Sequence, residues 1–429
     1  MGDKRFDVLI IGAGPAGSIA ALVLARAGAS VALVDKATFP RDKACGDLVG
    51  PRGLQILDDL DVSVPGGLSV GDMVVVGPTG RRVRLPCAAG LTYPDHAVAV
   101  PRAAFDDALR NAAIAAGAEP VDGHAVDALD GAYGIDGFAL GNGLQLRADT
   151  TIGADGATSR VADVAGLVDR TRVMWGFAIR SYLDHPVEVP HIVLWEPRRW
   201  RALPGYGWLF PGPDGRANVG LGIGTLTDRT AATSAVRLLP AFLRDLERLG
   251  LLMASPASTI SPPAARLGGW LKMGMVGTVP AAGRVLLVGD AAGLVNPLQG
   301  EGISQAMSSG RAAAEAILAG PDRAAAHYTS RLAAAHLPYH RIASATQAAL
   351  LPHPGLISGV GRALTLPGLG PALAGGWSIF WNELLDGASP GRARAVATLA
   401  TGAGRTATAQ SATRRWFERH LESGARARA

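Results

Sequence analysis

Cysteine is almost missing from this chain: Cys45 and Cys87 are its only two in 429 residues. Two thiols cannot build a disulfide framework, and neither stands among histidines or carboxylates at ligand spacing, so no stapled scaffold and no metal is expected. A reducing cytoplasm is the compartment that fits. Aromatic residues are scarce at 5%, the basic residues are scattered, and no helix-turn-helix, zinc or RNA-binding signature occurs, which excludes nucleic acid as a partner. The formal charge of +5 suits an anionic ligand or the face of an anionic membrane. Long apolar runs are missing too. The stretch around Leu364–Trp381 is broken by prolines and glycines and falls short of the ~20 residues a spanning helix needs. The apolar amino-terminal run is interrupted by a glycine turn and followed by Arg26 and a second strand, so it reads as structure and not as a leader. A hydrophobic content of 48% against 18% charge then predicts a globular protein of two or three domains with a large core.

What is present begins at Phe6–Ile11, a buried-strand pattern running into the Gly12–Gly17 turn and an alanine-rich helix. Gly12 permits the tight turn, Gly14 lets the backbone approach a phosphate, and Gly17 lets helix and strand pack closely, so a diphosphate meets a positive helix N-terminus. The strand Val31–Asp35 ends in a carboxylate eighteen residues after Gly17, where a ribose-binding acid belongs, with Lys36 beside it. A dinucleotide held by Gly12, Gly14, Ala16, Gly17, Asp35 and Lys36 is the expectation. A plain glycine-rich turn accounts for the glycines but not for the flanking strand, helix and acid.

Strand signals belonging with this βαβ unit return at Thr150–Gly156 and at Arg284–Asp290, the second followed by a helical pattern through Ile303, Met307, Ala314 and Ile317. Between them the chain gathers Trp175, Trp195, Trp200, Trp208 and Trp270. The runs Val173–Tyr182, His191–Trp195 and Ala217–Gly222 predict an antiparallel sheet there. From about Pro321 strand signals vanish, and Pro352, Pro354, Pro367 and Pro371 punctuate short helices. The predicted class is α/β: a Rossmann-like nucleotide domain assembled from 1–70, 98–167 and 280–320, an antiparallel β-sheet substrate domain from 71–97 and 168–279, and a helical region over 321–429.

Asp155 with Gly156, and Gly289 with Asp290, place an acid at the C-terminal end of a parallel strand, next to the ligand crevice. A strand-capping aspartate is the other reading of each. Taken with the first glycine turn, the two point to bound FAD. Together with Gly12–Gly17, the stretches Pro101–Asp106, Gly153–Ser159 and Gly289–Pro297 resemble the p-hydroxybenzoate hydroxylase-type flavoproteins. Within that superfamily, Phe39–Asp47, Pro204–Pro211 and Asn296–Ile303 resemble the geranylgeranyl reductase family, including its members that saturate a menaquinone side chain. The resemblance covers roughly residues 4–320; the last hundred residues share only a helical character.

The resemblance implies that Arg102 and Asp290 contact the FAD phosphate or ribose, in a cofactor set that includes Asp155, Gly156 and Gly289, and that the Cys45–Gly46 loop lies close to the flavin. It also implies that Gly300, Gly302 and Ile303 bring a helix N-terminus to the isoalloxazine. Physics agrees, since a reduced flavin carries negative charge near its pyrimidine edge and a helix N-terminus stabilises it. Glu301, in the first turn, has capping as its plain role. Tyr206, Trp208 and Phe210 share one face of an extended segment by the period of two. The family motif lines the substrate cavity, joined here by Asp47, Leu48 and Pro297. An aromatic sheet core would explain the rings without the flanking prolines. Leu48 and Val49 stand where the family commonly has a glycine and a small or apolar residue, and Gln299 stands where threonine is frequent. All are expected to face the cavity, and they leave the substrate open. Cys87, with no motif around it, reads as packing.

An isolated alkene has no carbonyl to hold developing charge, so proton delivery must accompany hydride transfer from reduced FAD. Cys45 and Tyr206 are the candidate proton donors, with Trp208 beside them. No second GxGxxG follows a strand, and Gly359–Gly361 has the wrong flanks, so electrons come from transiently docked NADPH or from another reduced carrier. Arg414–Leu421 reads either as a basic interfacial helix at a membrane or as a helix packed on its own protein. The rival function is an oxygen-using hydroxylase or halogenase on the same scaffold. The halogenase motif Trp-x-Trp-x-Ile-Pro is not matched, because the Tyr206–Pro211 stretch holds one tryptophan. A non-catalytic carrier would leave the flavin electrostatics without a purpose.

Overall fold

The computed structural model describes residues 4–85, 93–132, 134–196, 205–226, 228–230, 232–253, 267–368 and 370. The opening strand, Lys4–Ile11, is buried from Val8 onward and lies inside an eight-stranded sheet. It is flanked in parallel by Val31–Asp35 and by Gln145–Gly153, with Val8 opposite both Val31 and Thr150. Val285–Leu287 and Glu119–Asp122 extend the parallel set on either side. The two distant strand signals thus come back beside the first strand, in the arrangement that near-continuous apolar runs favour. An antiparallel hairpin, Ala125–Gly131 and Gly134–Leu140, adds to the sheet along Gln145–Gly153.

The helix Pro15–Arg26 follows the first strand after a turn that only glycine can make. Gly12 has φ +109°, and a methyl there would fall 2.3 Å from the Ala154 carbonyl oxygen. At Gly17 it would fall 1.8 Å from the Gly12 carbonyl oxygen, so helix and turn are already in contact. The same helix packs on Ile303–Ala319, where Gly310 meets the Ala16 carbonyl.

A seven-stranded sheet forms the second layer, in the order Leu267–Met273, Met174–Leu183, Ala217–Leu226, Gly205–Pro211, His191–Val193, Met73–Val76, Arg82–Leu85. All neighbours are antiparallel except His191–Val193 with Met73–Val76. The runs expected around Val173, His191 and Ala217 are strands; Trp200 lies outside the described residues. One face is covered by a helix the sequence reading passed over, Ala232–Arg248, whose Leu239, Phe242 and Leu246 recur at helical spacing against Leu209, Val219 and Leu221. The other face packs Trp208, Phe210 and Ile192 with Leu48, Val70, Ala97 and Ala99. A small sheet of Leu48–Val49, Ala97–Ala99 and Leu68–Val70 joins the layers.

The helices Ala324–Ala335, Leu337–Leu350 and Pro354–Ala363 close the described chain, the last two separated at Pro352 and Pro354 as the proline pattern predicts. Pro371 and the Arg414–Leu421 segment lie outside the described residues. Among the described residues no helix is long and apolar enough to cross a membrane.

These contacts separate two glycines of one motif. Gly17→Ala forces backbone apart and is expected to cost roughly 3 kcal/mol of unfolding free energy. Gly14→Ala, whose methyl would meet only the Arg41 guanidinium at 3.5 Å, is expected to change stability of the cofactor-free protein by less than about 0.5 kcal/mol. Equal losses in urea denaturation would contradict this assignment.

Candidate active site

At the C-terminal ends of the parallel strands, Gly14 caps the first helix in an extended conformation with no side chain bonded to its amides, and Pro15 occupies the first turn. The leading N–H groups of that helix therefore have no intrahelical partner, and the space over Gly14 is the one a Cβ would fill. Asp35 holds this turn. Its Oδ2 accepts from the Ala13 N–H at 2.7 Å and its Oδ1 from the Ala37 N–H at 2.9 Å, while Lys36 is exposed beyond it. The methyl of Ala16 packs against Gly289.

The two distant aspartates part company. Asp290 follows Gly289, which has φ +55°, and reaches the crevice, where Lys43 Nζ approaches it at 3.5 Å. Asp155, expected beside it, instead accepts from the Ser159 hydroxyl and from the Arg160 and Val161 N–H groups, capping the helix Arg160–Val164. The capping reading holds for this residue: its carboxylate serves a helix start and does not line the cavity. Gly156, φ +84°, makes the turn that allows it.

Arg102 opens the helix Arg102–Ala115 and grips Asp106 with two bonds, at 2.8 and 2.7 Å. Arg41 adds a third cationic contact to the same carboxylate at 2.6 Å. Burial pushes the Asp106 carboxyl up, but the two guanidiniums outweigh it and hold it below the usual carboxylate range. Cys45 lies against Arg102 in the cavity wall. Burial pushes its thiol up, and the guanidinium beside it offsets part of that rise.

The cavity measures about 280 Å³ and is bounded by both layers. Tyr206, Trp208 and Phe210 form one wall, as their shared strand face predicts, with Trp208 edge-on to Tyr206 at 6.3 Å between ring centres. Gly46 is required beneath them, since a methyl there would sit 2.8 Å from the Phe210 ring. The Tyr206 hydroxyl donates to the Gln299 carbonyl, and burial pushes its pKa up. Opposite stands the turn 296–302. Asn296 Oδ1 accepts from the Leu298 and Gln299 N–H groups at 2.9 and 3.1 Å, and Tyr339 bonds the same side chain. Gly300, with φ +67°, Gly302 and Ile303 then bring the start of Ile303–Ala319 to the cavity, with Pro297 alongside. Glu301 caps that helix through the Ser304 N–H at 2.8 Å.

Two expected cavity residues are elsewhere. The two-residue strand Leu48–Val49 alternates: Leu48 lines the cavity, whereas Val49 packs with Ile19, Phe105 and Ile303 on the far side. Asp47, with φ +61°, is turned behind the wall, where its Oδ2 accepts from the Tyr182 hydroxyl and from Asn218 Nδ2. Asn218 was not foreseen. It also donates to the Cys45 carbonyl at 2.8 Å and accepts from Trp208 Nε1 at 2.9 Å, so one buried amide ties the cysteine loop to the aromatic wall. Arg41, Asp106, Gln347 and Ile357 were likewise missed as members of the site or its support. Among the described residues no group of histidine, cysteine and carboxylates has the makings of a metal site.

An uncapped helix start beneath an open glycine, a second helix start across the cavity and an apolar slot between them fit the diphosphate and the flavin of FAD. Comparison with known proteins gives the same direction. The FAD binding domain family matches residues 5–178. The chain is 36% identical over 332 residues to the menaquinone reductase of Mycolicibacterium smegmatis, covering 74% of this chain and 78% of that protein. It is 32% identical to the geranylgeranyl diphosphate reductase of Rhodobacter capsulatus, over 73% of this chain and 75% of that one. In fold it is similar to a geranylgeranyl bacteriochlorophyll reductase-like protein from Thermoplasma acidophilum, with a TM-score of 0.68 and 21% identity, covering 93% of this chain and 100% of that one.

Burial pushes the Asp47 carboxyl up from 3.8 to about 6, against hydrogen bonds from Tyr182 and Asn218 that pull it down. A folded value above the unfolded one means that the native state holds the proton more tightly. The stability due to this group is therefore full below about pH 4 and lost as pH rises to about 6. Asp47→Asn removes that dependence. The stability of the parent relative to the variant is expected to fall by roughly 3 kcal/mol between pH 4 and pH 7 in chemical denaturation; a constant difference would mean that Asp47 titrates normally.

Proposed function

Because this chain belongs to the FAD-dependent oxidoreductases of the geranylgeranyl reductase type, we propose that it saturates carbon–carbon double bonds in the polyprenyl chain of a membrane lipid. The menaquinone side chain and geranylgeranyl lipids are the substrate classes. The observation that carries this reading is the shape and chemistry of the cavity. It runs from the glycine turn at Gly300 past Tyr206, Trp208 and Leu271 to Leu350 and Ile357, an apolar slot suited to an extended chain.

Bound FAD, once reduced, supplies the hydride equivalent that an alkene accepts. The chain's own residues hold the alkene in an apolar enclosure and deliver the proton that must accompany it. Cys45 and Tyr206 both keep their protons at neutral pH, since burial raises each. The Tyr206 proton is engaged by the Gln299 carbonyl, whereas Cys45 has a guanidinium beside its sulfur, positioned to stabilise the thiolate left behind. Cys45 is therefore the donor and Tyr206 a wall residue. Cys45→Ser is expected to slow single turnover of the reduced enzyme about 100-fold, and Tyr206→Phe less than about 5-fold. Unchanged rates in both would remove both residues as donors.

The oxygen-using alternatives share the scaffold and are separated by one measurement. Dithionite-reduced protein incubated under argon with prenylated quinones or prenyl diphosphates is expected to yield products heavier by added hydrogens. Product forming only in air would mean a monooxygenase.

We further propose that the slot opens toward an anionic bilayer at the helix Pro354–Ala363. Ile357 of that helix lines the cavity, while Leu356 and Val360 are 55% and 43% exposed. Glu196, the acidic group against this helix, is paired with Arg362, and no aspartate or glutamate occurs between Asp322 and Glu383, so the exposed Arg341 is the charge in that stretch that suits anionic lipid. Replacing Leu356 and Val360 together by serine is expected to lower flotation with phosphatidylglycerol vesicles several-fold. Undiminished flotation would move the contact elsewhere, as to the 410–429 segment.

A further inference from the structure

The slot does not end at Leu350 and Ile357. A second cavity of about 90 Å³ adjoins it, walled by Pro78, Leu194 and Trp195 at the ends of two strands and by Val360 and Leu364 from the carboxyl-terminal helices. Gly205, Leu350 and Ile357 belong to the walls of both cavities, so these three residues form the partition between them.

On the sheet side that partition is bare backbone. Strand pairing holds Gly205 to this, since a methyl there would fall 1.8 Å from the Gly222 carbonyl oxygen. The width of the passage therefore depends on two side chains, Leu350 at the end of one helix and Ile357 in the next, with the break at Pro352 and Pro354 between them. The outer helix is pinned. Glu196 accepts from the Ser358 hydroxyl and from Arg362 Nη2 at 3.1 Å, and a methyl on Gly361 would already meet the Pro78 ring at 3.3 Å. Thr365 covers Gly77 with no room for a side chain. An apolar space beside a helix held this firmly is one that packing ordinarily fills, and its walls suit hydrocarbon better than water.

We infer that the two cavities form one path for the polyprenyl chain, with the reacting double bond in the inner cavity and the next stretch of chain beyond the partition, so that Leu350 and Ile357 determine which double bond is reduced. Threading between two side chains fixes the chain along its length, so an alkene reaches the flavin only when the carbons beyond it fit the passage. A chain that ends inside the inner cavity gains no burial against the outer walls and is free to slide. This deepens the prenyl-reductase reading and rests on it.

The test uses dithionite-reduced holoenzyme under argon, in detergent, with two prenylated naphthoquinones, one bearing a geranyl and one a geranylgeranyl chain. Leu364→Trp fills the outer cavity from the helix side and Leu194→Phe from the strand side, each checked for bound flavin by its visible absorbance. Each is expected to lower the ratio of kcat/KM for the longer chain to that for the shorter about 10-fold. Ile357→Ala widens the passage and is expected to add hydrogens at double bonds that the parent leaves intact, read from the fragment masses of the product. If one filling variant loses flavin, the other carries the test. A ratio that the filling variants leave unchanged would make the second cavity a packing gap and overturn the path, and a product pattern that Ile357→Ala leaves unchanged would overturn the role of the partition. Both results would leave the prenyl-reductase reading intact. Failure of the wild type to reduce either chain would instead overturn that reading.

Discussion

The contact between the helices Pro15–Arg26 and Ile303–Ala319 sets the geometry of the site. They approach so closely that Gly310 meets the Ala16 carbonyl with no room for a side chain. Pro15 and Ile303, the first residue of each, both reach the same cavity, so the two helices aim their positive ends at one place. Each end carries about half an elementary charge. The end at Ile303 already meets the Glu301 carboxylate, so the uncapped end at Pro15 is the one left to attract a further anion. Close glycine-mediated packing holds the arrangement in advance, which is what electrostatic preorganisation requires.

Much of this was legible because it is written locally. The Gly12–Gly17 turn, the strands around it and the Tyr206–Phe210 face follow from spacings within ten residues, and spacing is what sequence displays. The misreadings have physical causes. Asp155 and Asp290 occupy equivalent strand ends, yet a helix starting at Arg160 draws the first carboxylate away from the crevice. Leu48 and Val49 form a strand too short to show its own alternation, although once paired with Ala97–Ala99 they must face opposite ways. Asp47 takes a left-handed backbone that turns its side chain behind the wall, and no residue type announces that.

What remained hidden depends on distance along the chain. Arg41 meets Asp106 and Asn218 meets Cys45, pairings that only the folded chain creates, and Gln347 is brought to the wall of the same cavity. The helix Ala232–Arg248 is a different case. Its period was visible, but a tryptophan-rich region read as sheet left no place for it. In the fold it backs the sheet whose opposite face forms the cavity, and so keeps the aromatic wall dry from behind.

The charge pattern around the cavity explains how an apolar slot can support polar chemistry. Asp106 is shared by Arg41 and Arg102, leaving the trio with one net positive charge beside Cys45. Lys43 and Asp290 cancel. Glu301, also in the lining, caps the second helix start and offsets that charge, so among the described residues the site holds no bare cation in its apolar part. A bare cation there would be costly to desolvate and would draw water with it. A charge distributed over helix ends and a shared guanidinium is already bonded, so it can stand beside an apolar slot without placing a bare ion in it. Asn218 completes the logic. By bonding Trp208, Asp47 and the Cys45 carbonyl together, it ties the cysteine loop to the aromatic wall, so the two cannot move independently.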